Sequence, residues 1–298
     1  MRAAPSAAPR KGTQMTELLA SLSDGLLLGF VYGLAAMGLS LIWGVMRVIN
    51  LAHGATMALG MFGIYVIFSQ LGLHPYLALV LVAILGVLFG FAVYWIAVHR
   101  VINAPYLSSL LATFSVNMMI IGVGTAVFTT TPRTVDFEMG RVQLGPVTLL
   151  GTRLVAALIC ILVTAGLYLF LYRTKQGKAI RAVANNRAAA SLMGIPTART
   201  LALCFGIGTM LAALAGGLIA TFFPFTILSG TGYQTKGFVI CVLGGLGNPT
   251  GALVGGLILG AMEGLIPVFL PVTWVPVIEY VLFVVILLVR PSGLLGAR

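Results

Sequence analysis

The sequence predicts an all-α, polytopic transmembrane bundle of about 8–9 spans with a broken hairpin near 235–270. Three observations carry that expectation. Of 298 residues, 60% are hydrophobic and 8% are charged, a balance far from that of soluble domains. The apolar residues gather in windows of about twenty, the length an α-helix needs to cross a hydrocarbon core. Thirty-seven glycines, several recurring every fourth residue, suit closely packed membrane helices better than the alternating strands of a β-barrel.

Taken in order, the windows place spans near 25–46, 53–70, 77–98, 106–128, 153–172, 200–222 and 275–290. The region 235–270 differs. Its first apolar piece, Thr235 to Leu246, is too short to cross about 30 Å at 1.5 Å per residue. Gly247-Asn248-Pro249 then breaks the helix, because a residue before proline avoids helical backbone and Asn-Pro favours a turn. A second apolar run, Gly251 to Leu270, completes a hairpin that returns the chain to the side it left.

Residues 21–298 read as one membrane domain, preceded by a tail over 1–20 that is expected to be disordered, or non-native before Met15. Met15 opens MTELLASLSDG, which carries Glu17 and Asp24 and no basic residue, as an external N-terminus would. Orientation follows from the island RTKQGKAIRAVANNRAAASLMGIPTAR over 173–199, with six basic residues and no acidic one. Cytoplasmic loops hold the excess of Lys and Arg, so this island is expected in the cytosol, along with Arg47, Arg100 and Arg290. The loop from Thr129 to Arg153, which mixes charges of both signs, falls outside. Within the island, Ala182 to Met193 reads as a short, partly apolar helix stopped by Gly194 and Pro196. A membrane protein that presents such a helix to the cytosol is expected to couple to a soluble partner.

Glycine spacing is the first motif. Gly25, Gly29 and Gly33 recur every fourth residue, as do Gly247, Gly251 and Gly255, and then Gly256, Gly260 and Gly264. Small residues at this spacing let helix backbones approach, so these positions are read as helix-packing sites. Polar groups within apolar runs come next. Glu263 and Glu279 lie in expected spans, and His53 follows Asn50 by three residues. Charges at membrane depth face a bundle interior or a water-filled path. Glu263 is therefore either a pathway group or a carboxyl bonded between helices. Asn50 and His53 either face the path or satisfy backbone freed where a span begins. No second ligand is spaced to help His53 hold a metal, and Cys160, Cys204 and Cys241 read as small buried hydrophobes.

The sequence has no G-x-x-x-x-G-K-[ST], nucleophile elbow, zinc motif or redox pair. It is not expected to be an enzyme by itself, nor to hold a metal or cofactor. Energy for transport would come from a gradient or from another subunit. The formal charge of +11 scatters around spans rather than forming a soluble basic domain, which argues against nucleic acid as a partner.

Three stretches resemble a known family. GLSLIWGVMRVINLAHGATMALG over 38–60, RAVANNRAAASLMGI over 181–195 and GFVICVLGGLGNPTGALVGGLILGAMEG over 237–264 are similar, in order and spacing, to the LivH-type permeases of branched-chain amino acid ABC transporters. The resemblance implies a multi-pass subunit of a bacterial inner-membrane importer working by alternating access. It implies a second homologous permease, two ABC ATPase subunits that use the ATP, and an external solute-binding protein. It also implies that the cytosolic segment inserts its helix into an ATPase groove. There Ala189, Leu192, Met193 and Ile195 would give the apolar contact, with Arg181 and Arg187 at its rim. Members of that family commonly carry an acidic residue near Asn186–Arg187, which this chain lacks. Asn50, His53 and Glu263 are the candidates for groups near the substrate path, and Gly251, Gly255, Gly256, Gly260 and Gly264 for close packing. Leucine, isoleucine and valine are the default substrates, with urea and short amides as alternatives. The rival class is a stand-alone secondary transporter or channel for a small polar solute, which would explain the spans but not the basic island.

Overall fold

The computed structural model describes residues 11–290, apart from 138 and 146, together with 292–296. Among the described residues, twelve α-helices follow one another with one small β-hairpin between them. α1 (Lys11–Met46), α2 (His53–Leu71) and α3 (Pro75–Val93) come first. A π-helical turn at Tyr94–Val98 then leads into α4 (His99–Val101), which ends the same span. After α5 (Tyr106–Phe128), β1 (Arg141–Leu144) pairs antiparallel with β2 (Val147–Leu150). α6 (Gly151–Arg173) leads into two short helices, α7 (Lys175–Asn185) and α8 (Arg187–Leu192). α9 (Thr197–Ala220), α10 (Ser229–Gly244), α11 (Pro249–Phe269) and α12 (Val275–Val289) complete the chain. Eight helical stretches among the described residues are long and apolar enough to span a membrane; α10, at 16 residues, is not one of them.

The spans agree with the sequence reading, and three elements differ from it. α1 begins at Lys11, so residues 11–20 extend the first helix rather than forming a tail; residues 1–10, and what was expected of them, lie outside the described residues. The first half of the hairpin starts at Ser229, not near Thr235, because polar and glycine positions at its start still pair their backbone helically. The helix expected over 182–193 is two helices that meet at Asn186.

α9 is the buried axis of the bundle. Its small residues, among them Gly206, Gly208, Gly216 and Gly217, let α1, α2 and α3 close around it. Thr209 Oγ1 donates to the carbonyl of Gly86 at 3.0 Å, a contact for which Gly90 leaves room, since a Cβ there would overlap the hydroxyl. α5 and α12, by contrast, expose leucines, valines and methionines over most of their length, as lipid-facing helices do.

α11 is gripped on two sides, and the glycine spacing explains how. Gly256, Gly260 and Gly264 face α1, where Gly25, Gly29 and Gly33 answer them in antiparallel register. Gly251 and Gly255 face α10 at Gly244 and Ile240. A Cβ added at any of Gly256, Gly260 or Gly264 would fall within 3.0 Å of backbone atoms of α1. Between α10 and α11, Gly245 and Gly247 take positive φ, and Asn248 caps α11 through Oδ1, which accepts from the amides of Thr250 (3.0 Å) and Gly251 (3.3 Å). Pro249 at the first helical position completes a helix start.

Alternation of the spans brings Arg47, Arg100, the 173–199 segment and Arg290 to one end. No carboxylate among the described residues lies there. Glu17, Asp24 and Asp136 lie at the other end, where Asp24 of α1 pairs with Arg153 of α6. The positive-inside rule assigns the basic end to the cytosol.

Candidate transport path and coupling surface

The five residues that follow Arg47, from Val48 to Ala52, do not stay at the cytosolic end. They fold back into the bundle, where Val48, Asn50 and Ala52 are buried. His53, the first residue of α2, places Nε2 2.8 Å from the carbonyl of Ala35, eleven residues before the end of α1. At 1.5 Å per residue, α2 starts about 16 Å inside the end of its neighbour. Irregular backbone at such depth must be satisfied by protein. Asn50 Oδ1 accepts from the Ala52 amide (3.1 Å) and Thr113 Oγ1 donates to the Ile49 carbonyl (3.0 Å). Gln234 on α10 both donates to the Asn50 carbonyl (3.2 Å) and accepts from the amide of Gly54. Asn50 Nδ2 and His53 Nδ1 are buried with no hydrogen-bond partner among the described residues.

Glu263 stands elsewhere. Its Oε1 accepts from Lys236 Nζ at 2.7 Å, and Glu279 Oε1 lies 3.6 Å from the same ammonium. Lys236 also sits over the Tyr32 ring, 5.0 Å from its centre. The cluster joins α1, α10, α11 and α12. The structure thus brings Asn50 and His53 together but sets Glu263 apart from them, on the wall of an outward cavity of about 300 Å³. Sequence reasoning passed over Lys236, Gln234 and Thr113. An isolated Gln-x-Lys in an apolar hairpin was the available signal for two of them.

The cytosolic segment is built as an anchored platform. Thr174 caps α7 by accepting from the Gly177 amide (3.0 Å), and Ile180 and Val183 turn the apolar face of α7 into the bundle. Asn186, with extended backbone, ends α7 and caps α8 by accepting from the Ala189 amide (3.0 Å). Asparagine side chains compete with helix backbone in this way, which is why Asn185-Asn186 divides the expected helix. α8 stops at Gly194 (φ +79°), with Ile195 N–H bonding back to Ala190 O at 3.1 Å and Gly194 N–H to Ser191 O at 3.0 Å.

Leu192 and Met193 are left 89% and 82% exposed, and Ala189 is exposed beside them. Ile195 points the other way, packing partly buried against the cluster of Tyr94, Leu201 and Phe205. Arg187 Nη1 donates to Asn103 Oδ1 at 3.3 Å, tying α8 to the turn before α5. Arg181 lies over the Tyr172 ring at 4.4 Å and donates to the Leu171 carbonyl at 3.1 Å.

Comparison with known proteins fits this architecture. The family described as "Branched-chain amino acid transport system / permease component" matches residues 21–289. The chain belongs to that permease family. The high-affinity branched-chain amino acid transport system permease protein LivH of Salmonella typhimurium is 31% identical over 95% of this chain and 97% of its own. The corresponding permease protein BraD of Pseudomonas aeruginosa is 29% identical over 93% and 95%. A shorter match joins the chain to the autoinducer 2 import system permease protein LsrC of an Enterobacter species, 37% identical over 35% of this chain and 33% of that one. No solved structure matches the chain. Membership makes this a multi-pass transport permease of a bacterial inner membrane.

Proposed function

We propose that the protein is the transmembrane subunit of an ATP-driven importer of branched-chain amino acids, paired with a second permease, driven by two ABC ATPases and fed by an external binding protein. The observation that carries this reading is the cytosolic surface of α8. Leu192 and Met193 stand almost fully in solvent at the tip of a helix anchored on both sides, on a segment with no acidic residue. Apolar side chains so exposed on a rigid base are suited to an apolar groove in a soluble partner. An ATPase seated there would move α7 and α8 as one unit, through Ile180 and Val183, against the ends of the spans. The substrate class is taken from the relatives that the chain matches along nearly their whole length.

The test is co-purification and uptake. A tagged permease should carry ATPase subunits through purification, and a Leu192→Asp, Met193→Asp double variant should lose them while remaining in the membrane. A chain that purifies alone and still transports leucine would be a stand-alone carrier, and the reading would fall.

A further inference from the structure

We infer that the outward cavity bordered by Lys236 and Glu263 is a binding subsite for a zwitterionic, apolar amino acid. The inference deepens the importer reading and rests on it. Lys236 lies seven residues into α10 and Glu263 six residues before the end of α11, so both stand about 10 Å below the outer ends of their helices. Each keeps 24% of its side chain exposed at that depth. Charged groups open to hydrocarbon are too costly to persist, so this face of the bundle borders water or a partner across a water-filled path. The exposed apolar faces of α5 and α12 have no such groups.

The chemistry around the cavity is complementary to an amino acid at three points. Glu263 and Glu279 together outnumber the one ammonium between them. Glu263 Oε2 is buried without a hydrogen-bond partner, while Glu279, only 5% exposed and set back from the cavity wall, reaches Lys236 Nζ with Oε1 at 3.6 Å. A substrate ammonium supplies the missing positive charge. The start of α10 also lines the cavity, through Ser229 and Gly232, with Lys236 one turn beyond Gly232. With 16 residues α10 spans about 24 Å, less than the hydrocarbon core, so its positive N-terminal end opens inside the membrane depth. Broken helices of this kind aim their N-termini at anionic groups of substrates, and here the group would be the carboxylate. Tyr32, Phe223 and Tyr233 supply the apolar wall for a branched side chain. The volume, about 300 Å³, suits one small ligand.

Two variants test the subsite, and each approaches it differently. Glu263→Gln removes the negative charge that would hold the ammonium while keeping the side chain's shape. Gly232→Phe fills the cavity from a position where an added Cβ meets nothing within 4 Å, so the helix itself is not disturbed. The complex of permeases and ATPases, purified without binding protein, is titrated with radiolabelled leucine, with 4-methylpentanoate and isoamylamine as competitors lacking one charge each. Saturable leucine binding is expected, at least tenfold weaker in both variants, with neither competitor effective on the unaltered complex. In the Glu263→Gln complex the advantage of leucine over 4-methylpentanoate should shrink, which a merely structural glutamate would not produce. No saturable binding, or binding by both variants equal to the unaltered complex, overturns the subsite. If ATPases co-purify and leucine uptake persists in that event, the importer reading stands without it; if neither is found, the importer reading itself has failed.

Discussion

Gly260 of α11 rests against Gly29 of α1 so closely that a Cβ on Gly260 would overlap the Gly29 backbone. Gly260→Leu should therefore separate the two helices along their length. Overpacking a core with side chains to yield costs about 1–3 kcal/mol, and here the obstacle is backbone, so the loss should be larger. Size-exclusion profiles of tagged protein should show little folded material. Gly122→Leu on α5, where an added Cβ meets nothing within 4 Å, should behave as the unaltered protein. Equal yields of both variants would mean that α1 and α11 do not touch in the membrane.

Ala189→Asp tests the platform without harming it. Ala189 is exposed at the third position of α8, where an acidic side chain favours a helix start. Membrane levels should be unchanged. If α8 docks on an apolar groove, the buried carboxylate would cost several kcal/mol, enough to weaken docking by about a hundredfold or more. Leucine uptake and substrate-stimulated ATP hydrolysis should fall together. Uptake within about twofold of normal, under 0.5 kcal/mol in these terms, would show a solvated loop instead.

Asn248→Ala should lower thermal stability. The side chain caps α11 and also donates to the Leu295 carbonyl at 2.9 Å, so it holds the hairpin to the C-terminal segment. Loss of an asparagine cap costs about 1 kcal/mol, up to about 2. A fall of a few degrees in the melting midpoint of the detergent-solubilised protein is expected, and an unchanged midpoint would contradict the cap.

Sidedness can be read with single cysteines. Cys160, Cys204 and Cys241 are buried and should give little background. A cysteine at exposed Thr131 should react with an impermeant thiol reagent added to intact cells, whereas one at Asn186 should react only after the membrane is opened. Ready labelling at Asn186 from outside would invert the topology. Val135, in the same outer loop, is buried and is a poor reporter.

The spans were legible because crossing a bilayer demands long apolar runs, and the sequence has no other use for them. The glycine spacing also carried its meaning, although only the structure shows that Gly251 and Gly255 serve α10 while Gly256, Gly260 and Gly264 serve α1. Local competition hid the joint at Asn186, where one side-chain oxygen outweighs the helical pattern on both sides. The start of α10 was hidden because Gly230, Gly232 and Gln234 dilute its apolar signal. Lys236 escaped notice because its meaning lies in Glu263 and Glu279, on other helices. Likewise Gln234 and Thr113 matter only through a turn that they reach across the fold.

The clamp on α11 has a mechanical consequence. Where helices meet through side chains, small rotamer changes let one slide past another. Where they meet backbone to backbone on two sides, as α11 does with α1 and α10, there is nothing to rearrange. A slip of one residue, about 1.5 Å, would drive Cα atoms into carbonyl oxygens. These three helices must therefore travel as a single slab, and any opening toward one side of the membrane or the other has to hinge at its borders, where α6 meets α1 and α12 meets α10 and α11.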